Sequence, residues 1–504
     1  MARGIPPWAL ALLVAAMLAA AAPASGAAQA QQAQQAGSEP QAQPQTQADL
    51  LAQVRGDVAA LRESVHGFWA CHGLDEPRFG GFRGTLSLDG APTPPEEKGL
   101  VQQARHAWAF ATYALHGHDE PPRHARCDAR GGGAGRAEAP VAPAHGGGRH
   151  RGGPLPSSAA MACSAADFMI AHMLDRGTGL FVWNVTRDGA RVVSPATVLY
   201  GQWFAIYALS QHAAAPFGAR EAPELALATF TALDRAWHNA STGGWDELPS
   251  NSFPADAPRR AAARGGAAPE LPRTLNVLLH GTEALVALHR ATGDAAVLAR
   301  LVEVVTILCT RLARRRGLLL EAYLPAPTPG HWAPDPASTV SYGHNLEAAW
   351  LLLDTIDHLQ AVGALDDAAA MACRDAALAV GEAALAAGYD AVHGGVFEAG
   401  TPEGGPTSRV KVWWVQAESM LALWKLHELR GGSGGHLERL AQTARFVSAH
   451  LLDQGGAGEM LWQVEADGTS RVWGDADKDS KGNRWKASYH SGRAALFLEA
   501  WMRA

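Results

Sequence analysis

His344 and Glu347 stand three residues apart in SYGHNLEAAW, and His280 and Glu283 repeat that spacing in NVLLHGTEALVAL. Both stretches are patterned as helices, and residues three or four apart share a helix face. Each helix therefore presents an imidazole beside a carboxylate. Such a neighbour can raise the imidazole pKa and fix its tautomer, which makes an acid or base that works near neutral pH. The same donor types could instead bind a metal, although di-metal bundle sites use the reverse order, Glu-x-x-His, with further carboxylates. Simple structural pairing is the third reading. A third histidine, His490, lies in WKASYHSGRAAL, five residues after Trp485.

Arg105 lies in LVQQARHAWAFATYAL beside a stripe formed by Val101, Ala104, Trp108 and Leu115. A buried arginine is costly unless paired, so it is expected to meet a carboxylate or a substrate oxygen. The chain holds 16 tryptophans, and Trp108, Trp350, Trp413, Trp414 and Trp485 fall near the polar residues just named. Aromatic rings with polar neighbours suit the apolar faces of sugars, and equally suit a core. Glu418 follows Trp414 by one helical turn, and Tyr200 and Gln202 mark another buried helix, LYGQWFAIYAL. No dinucleotide fingerprint, phosphate-binding Walker loop or G-x-S-x-G elbow appears.

These residues need a scaffold, and the breaks between helical stretches supply its outline. FGGFRGTLSLDG at Phe79, TGLFVWNVTRDG at Thr178, GGWDELPS at Gly243, RGLLLEAYL at Arg316, HGGVFEAG at His393 and GEMLWQVEADG at Gly458 resemble one another. After the first interval they recur 65 to 77 residues apart, enough for two helices and a hairpin. That is an internal repeat longer than the ~34–47 residues of open helical solenoids. Six helix pairs predict a closed double ring, with the histidine-bearing helices inside. The longer first interval contains residues 118–158, rich in Gly, Pro, Arg and Ala, which cannot bury enough apolar surface to fold alone. It reads as a disordered insertion, and residues 251–272 as a smaller one.

Acidic residues outnumber basic ones 49 to 42, which sets nucleic-acid binding aside. Arg3, an apolar run from Trp8 to Ala22 and small residues through Ala30 have the form of a signal peptide, residues 1–30. A secreted or periplasmic protein with no membrane contact after cleavage is expected. Residues 31–47, rich in Gln, Ala and Pro, read as a linker, which leaves 48–504 as one domain. The five cysteines show no Cys-x-x-Cys spacing, and their odd number leaves at least one unpaired within the chain.

QARHAWAF, the helix carrying Asn276, His280 and Glu283, SYGHNLEAAW, HGGVFEAG, KVWWVQAES and WKASYHSGRAAL occur in the order seen in the N-acylglucosamine 2-epimerase superfamily. The chain resembles that superfamily from about Gly67 onward, and is most like its cellobiose 2-epimerase branch. The resemblance implies an all-α (α/α)6 barrel that inverts C2 of a reducing-end aldose, of the cellobiose, glucose or mannose type or an N-acyl hexosamine, without cofactor or metal; a monomer or homodimer is expected. It implies that His344 and His490 are the acid/base pair, His280 a third pocket histidine and Arg105 the group that stabilises the enediolate. Glu283 and Glu347 would tune the histidines, and Trp350, Trp414 and Trp485 would line the sugar subsites, with Asn276, Glu418 and Tyr200 beside them. An aldose–ketose isomerase and a non-catalytic sugar-binding protein are the alternatives. One departure stands out: Asn345 follows His344 where cellobiose epimerases usually have Asp.

Overall fold

Twelve α-helices alternate between an outer and an inner position in the computed structural model, which describes residues 45–122, 155–247, 273–328, 330–453 and 455–503. In chain order they are α1 (Gln47–His72), α2 (Leu100–Leu115), α3 (Ser158–His172), α4 (Leu199–Ala214), α5 (Ala222–Trp237) and α6 (Leu275–Thr292). They continue as α7 (Ala295–Thr306), α8 (Tyr342–Ala361), α9 (Asp367–Gly388), α10 (Trp413–Leu429), α11 (His436–Phe446) and α12 (Tyr489–Trp501). The even-numbered helices form the inner ring. Each packs on the next, and α12 packs back on α2, so the ring closes. Each odd-numbered helix lies outside, against its inner partner, with α1 serving α12. This is the (α/α)6 barrel.

Burial separates the two rings. Every residue of α2 from Leu100 to Tyr113 is buried, polar ones included. A helix enclosed on all sides needs neighbours on all sides, which only an inner position provides. The outer α11 instead buries Leu437, Leu440, Ala441 and Ala444 at helical spacing and exposes Glu438, Gln442 and Arg445.

The repeated breaks are hairpins that brace the N-terminal ends of the inner helices. Lys98–Gly99, Arg273–Thr274, Val340–Ser341 and Lys411–Val412, the residues leading into α2, α6, α8 and α10, pair antiparallel with the hairpin of the following repeat. Leu86–Ser87 pairs with Ser480–Gly482, joining first repeat to last. Two buried devices recur. A cation reaches a hairpin carbonyl and a neighbouring aspartate: Lys98 with Gly80 and Asp75, Arg273 with Gly243 and Asp246, Lys411 with Gly394 and Asp390, Lys481 with Gly458 and Asp453. A side-chain amide also clamps one hairpin residue through both its N–H and its C=O: Gln103 on Phe82, Gln202 on Phe181, Asn345 on Leu319 and Gln416 on Val396. An amide offers donor and acceptor together to a buried peptide. At Gly81 (φ 64°) and Gly395 (φ 81°) an added Cβ would lie 2.7 and 2.6 Å from the clamping oxygen, so those glycines let the amide in.

The expected signal peptide, nearly all of the expected linker, most of the expected 118–158 insertion and the expected 251–272 insertion lie outside the described residues. No described helix is long and apolar enough to cross a membrane. Cys71 is disulfide-bonded, whereas Cys163, Cys309 and Cys373 are thiols.

Candidate active site

Every inner helix contributes to one site from its first or second turn: Arg105 from α2, Tyr200 from α4, His280 from α6, His344 from α8, Trp414 from α10 and His490 from α12. Side chains on a helix lean toward its N-terminus, so all six converge on the braced end of the ring. Arg105 donates through Nη2 to the Tyr200 hydroxyl at 2.8 Å and through Nη1 to the Trp485 carbonyl. The Tyr200 ring meets His280 edge-on at 5.1 Å, and the Asn276 side chain lies beside the Tyr200 hydroxyl. On the other side the Trp414 ring lies 4.8 Å from His344 and 5.7 Å from His490. Trp485 stands 6.3 Å from Tyr200 and 6.1 Å from Trp183.

Each histidine has its own carboxylate. His280 Nδ1 lies 2.6 Å from Glu283 Oε2, and His490 Nδ1 lies 2.7 Å from Glu418 Oε1. His344 Nδ1 lies 2.7 Å from Glu321 Oε2. Glu347, expected to tune a histidine, does help raise His344, but the carboxylate that His344 hydrogen-bonds is Glu321. His344 is in the first turn of α8 and leans toward the hairpin before it, where Glu321 waits. Glu347 lies one turn deeper, and its Oε1 accepts from Arg493 Nη2 at 2.7 Å. Trp350 also departs from its expected place on a sugar subsite. It is 1% exposed, its ring is enclosed by Arg493, Phe497 and Trp501, and its indole N–H donates to Glu418 Oε2 at 2.9 Å. Glu418, expected beside the sugar, is wholly buried and supports His490.

The electrostatics differ between the histidines. Burial, followed by the Arg105 and Arg493 cations, pushes His490 well below the usual imidazole value. Burial also lowers His280, against the pull of Glu283. Burial opposes the charge on His344 too, but Glu321, with Glu347 and Glu418 behind it, outweighs burial and raises that imidazole. Burial and the nearby Glu418 push the Glu347 carboxyl up.

Two trios of donors, His280–Glu283–Glu347 and Glu347–Glu418–His490, have atoms within 4.8 Å of one another, the spacing a metal needs. Arg493 already sets a cation against the carboxylates of both trios. It contacts Glu283, Glu347 and Glu418 at once.

Sequence reasoning missed Arg493, Tyr489 and Glu321. Arg493 carries the signal that marked Arg105, a charge inside an otherwise apolar helix. Tyr489 adjoins His490. Glu321 sits in a hairpin, where no periodicity points to it.

Residues 148–490 match the model of the N-acylglucosamine 2-epimerase family. Over 440 residues the chain is 24% identical to the cellobiose 2-epimerase of Bacteroides fragilis, covering 86% of this chain and 94% of that one. The solved structure of the cellobiose 2-epimerase from Spirochaeta thermophila is similar with a TM-score of 0.68 and 27% identity, over 91% of this chain and 99% of that one. A D-mannose isomerase structure shares the fold at a TM-score of 0.64 and 18% identity, over 91% of this chain and all of that one.

Proposed function

Because the chain belongs to the N-acylglucosamine 2-epimerase family, we propose that it inverts C2 of a reducing-end aldose of the cellobiose, glucose or mannose type. The observation that carries this reading is the pair of imidazoles gathered at Trp414, His490 pushed well below the usual imidazole value and His344 raised above it. Inversion needs a base on one face of the reacting carbon and an acid on the other.

In the open-chain sugar, the lone pair on His490 Nε2 takes the proton from C2. The C–H electrons become the C1=C2 bond of an enediolate, and the carbonyl electrons settle on O1. Arg105, backed by Tyr200, neutralises that oxygen, the kind of preorganised stabilisation that dominates many enzymatic reactions. His344 then delivers its proton to the opposite face of C2 and the carbonyl re-forms. The site is left with His490 protonated and His344 neutral, which is the state the reverse reaction requires. Trp485 and Trp414 offer aromatic faces for the sugar rings, and the cellobiose 2-epimerase relatives support a β-linked disaccharide as substrate.

Proton NMR of the protein with cellobiose, mannose and N-acetylglucosamine in D2O tests this. A C2 epimer carrying deuterium at C2 is expected, with His490→Ala slower by about 10²–10⁴-fold. A ketose product would reassign the chain as an isomerase, and no exchange on any sugar would end the proton-transfer reading. The N-terminal segment supports action outside the cytoplasm; protein recovered there without its first residues is expected, and intact cytoplasmic protein would overturn it.

A further inference from the structure

Arg493 lies one turn beneath His490 on α12 and is fully buried. Its Nη1 donates to Glu283 Oε1 and to the Tyr489 hydroxyl. Its Nη2 donates to Glu347 Oε1 and Glu418 Oε1, both at 2.7 Å. Two of these carboxylates hold a histidine each, Glu283 on His280 and Glu418 on His490. Their remaining positions are filled by the Tyr489 hydroxyl, 2.7 Å from Glu283 Oε1, and the Trp350 indole, 2.9 Å from Glu418 Oε2. One guanidinium on α12 therefore ties together carboxylates from α6, α8 and α10.

We propose that Arg493 is a positioning residue for the reaction: it locks Glu283 and Glu418 into a layer beneath the site that holds His280 and His490 by Nδ1 and turns both Nε2 atoms toward the sugar. This rests on the proton-transfer reading above. A buried carboxylate without a cation would either take up a proton or draw one onto the imidazole it touches. With Arg493 supplying the balancing charge, the carboxylates accept from a neutral ring, which leaves Nε2 free as a base.

The groups facing His490 are Glu418 on α10, Glu347 on α8, His280 and Glu283 on α6, Arg105 on α2 and Arg493 on its own helix. Burial and the two arginines oppose its protonation, and a cation that fails to reach Glu418 leaves that carboxylate without its counter-charge and free to draw a proton onto the ring. Lysine cannot substitute. Its ammonium is a point charge without the planar fork that reaches three carboxylates.

The test is NMR of the full chain labelled with 13C and 15N in histidine, wild type beside Arg493→Lys, together with steady-state kinetics. In the wild type at about pH 7, His280 and His490 should be neutral with the proton on Nδ1. In Arg493→Lys the His490 midpoint should rise by about one pH unit or more, and kcat should fall at least about tenfold, as when a partner that orients a catalytic ligand is lost. KM should stay within about threefold. A folded variant with an unmoved midpoint and near-wild-type kcat overturns the proposal, because a purely structural role would change melting alone. Should Arg493→Lys fail to fold, the wild-type spectrum decides: a proton on Nε2 of His490, or an imidazolium at neutral pH, overturns it. The NMR readout needs no turnover. A wild type that epimerises no sugar but shows the tautomer and the shifted midpoint ends the proposed activity and upholds Arg493's hold on the rings.

Discussion

Glu321 lies 2.7 Å from His344 Nδ1, across a hairpin and 23 positions away in sequence, whereas Glu347, three positions away, turns its carboxylate to Arg493. The difference matters because Glu321 contributes more than Glu347 to raising the His344 pKa against burial.

Replacing Glu321 by Gln keeps the size of the side chain and removes its charge. Burial then prevails, and the His344 pKa falls. His344 must be protonated to act as the acid, so activity is lost as pH rises through its pKa. The alkaline limb of kcat/KM should therefore move to lower pH, by about one unit or more. The acid limb, set by His490, should stay in place. An alkaline limb at the wild-type pH would remove His344 from the role of acid.

Asn345 invites a substrate explanation, since it follows a catalytic histidine and departs from the usual Asp. In the structure it is wholly buried and bonds the Leu319 N–H at 2.8 Å, the Leu319 carbonyl at 2.9 Å and the Ser341 carbonyl at 2.8 Å. An ionised Asp would lose both donor bonds. Asn345→Asp should lower unfolding stability by about 1–3 kcal/mol, the cost of buried polar groups left unpaired, without changing the preference among sugars. Chemical denaturation and competition between cellobiose and mannose check the two halves. A changed preference at unchanged stability would return Asn345 to the sugar site.

Acid sensitivity should arise away from the site as well. His66 is wholly buried, lies 3.0 Å from the Ser158 hydroxyl and 4.6 Å from the Tyr113 ring, and is pushed by burial down to about 3. The unfolded chain protonates this residue near its ordinary value of about 6.5 while the folded chain does not. Stability is therefore complete above that value and falls with pH until about 3, by up to ~1.4 kcal/mol per pH unit. In His66→Gln the slope of unfolding free energy against pH should drop by about one proton over that window. An unchanged slope would show that His66 does not carry it.

The fold was legible because the breaks repeat. A period long enough for two helices and a hairpin, taken six times, leaves little besides a closed double ring. The histidines were legible because they interrupt apolar helices. Their partners were legible only when they lay on the same helix, as Glu283 does for His280. Glu418 was noticed for its place after Trp414, but its bond to His490 joins α10 to α12, and no spacing along one helix encodes a contact between two. Glu321 sits in a hairpin, and Arg493 became meaningful only once three carboxylates from three other helices were seen around it.

The closure of α12 against α2 has a consequence for how activity can arise. The guanidinium of Arg105, on the first inner helix, reaches the carbonyl of Trp485, just ahead of the last. His490 and Arg493 both ride on that last helix, so a ribosome that has delivered five of the six helix pairs has delivered no working fraction of the site. A nonsense mutation before Trp485 should produce not a weakened enzyme but an open arc with neither His490 nor Arg493.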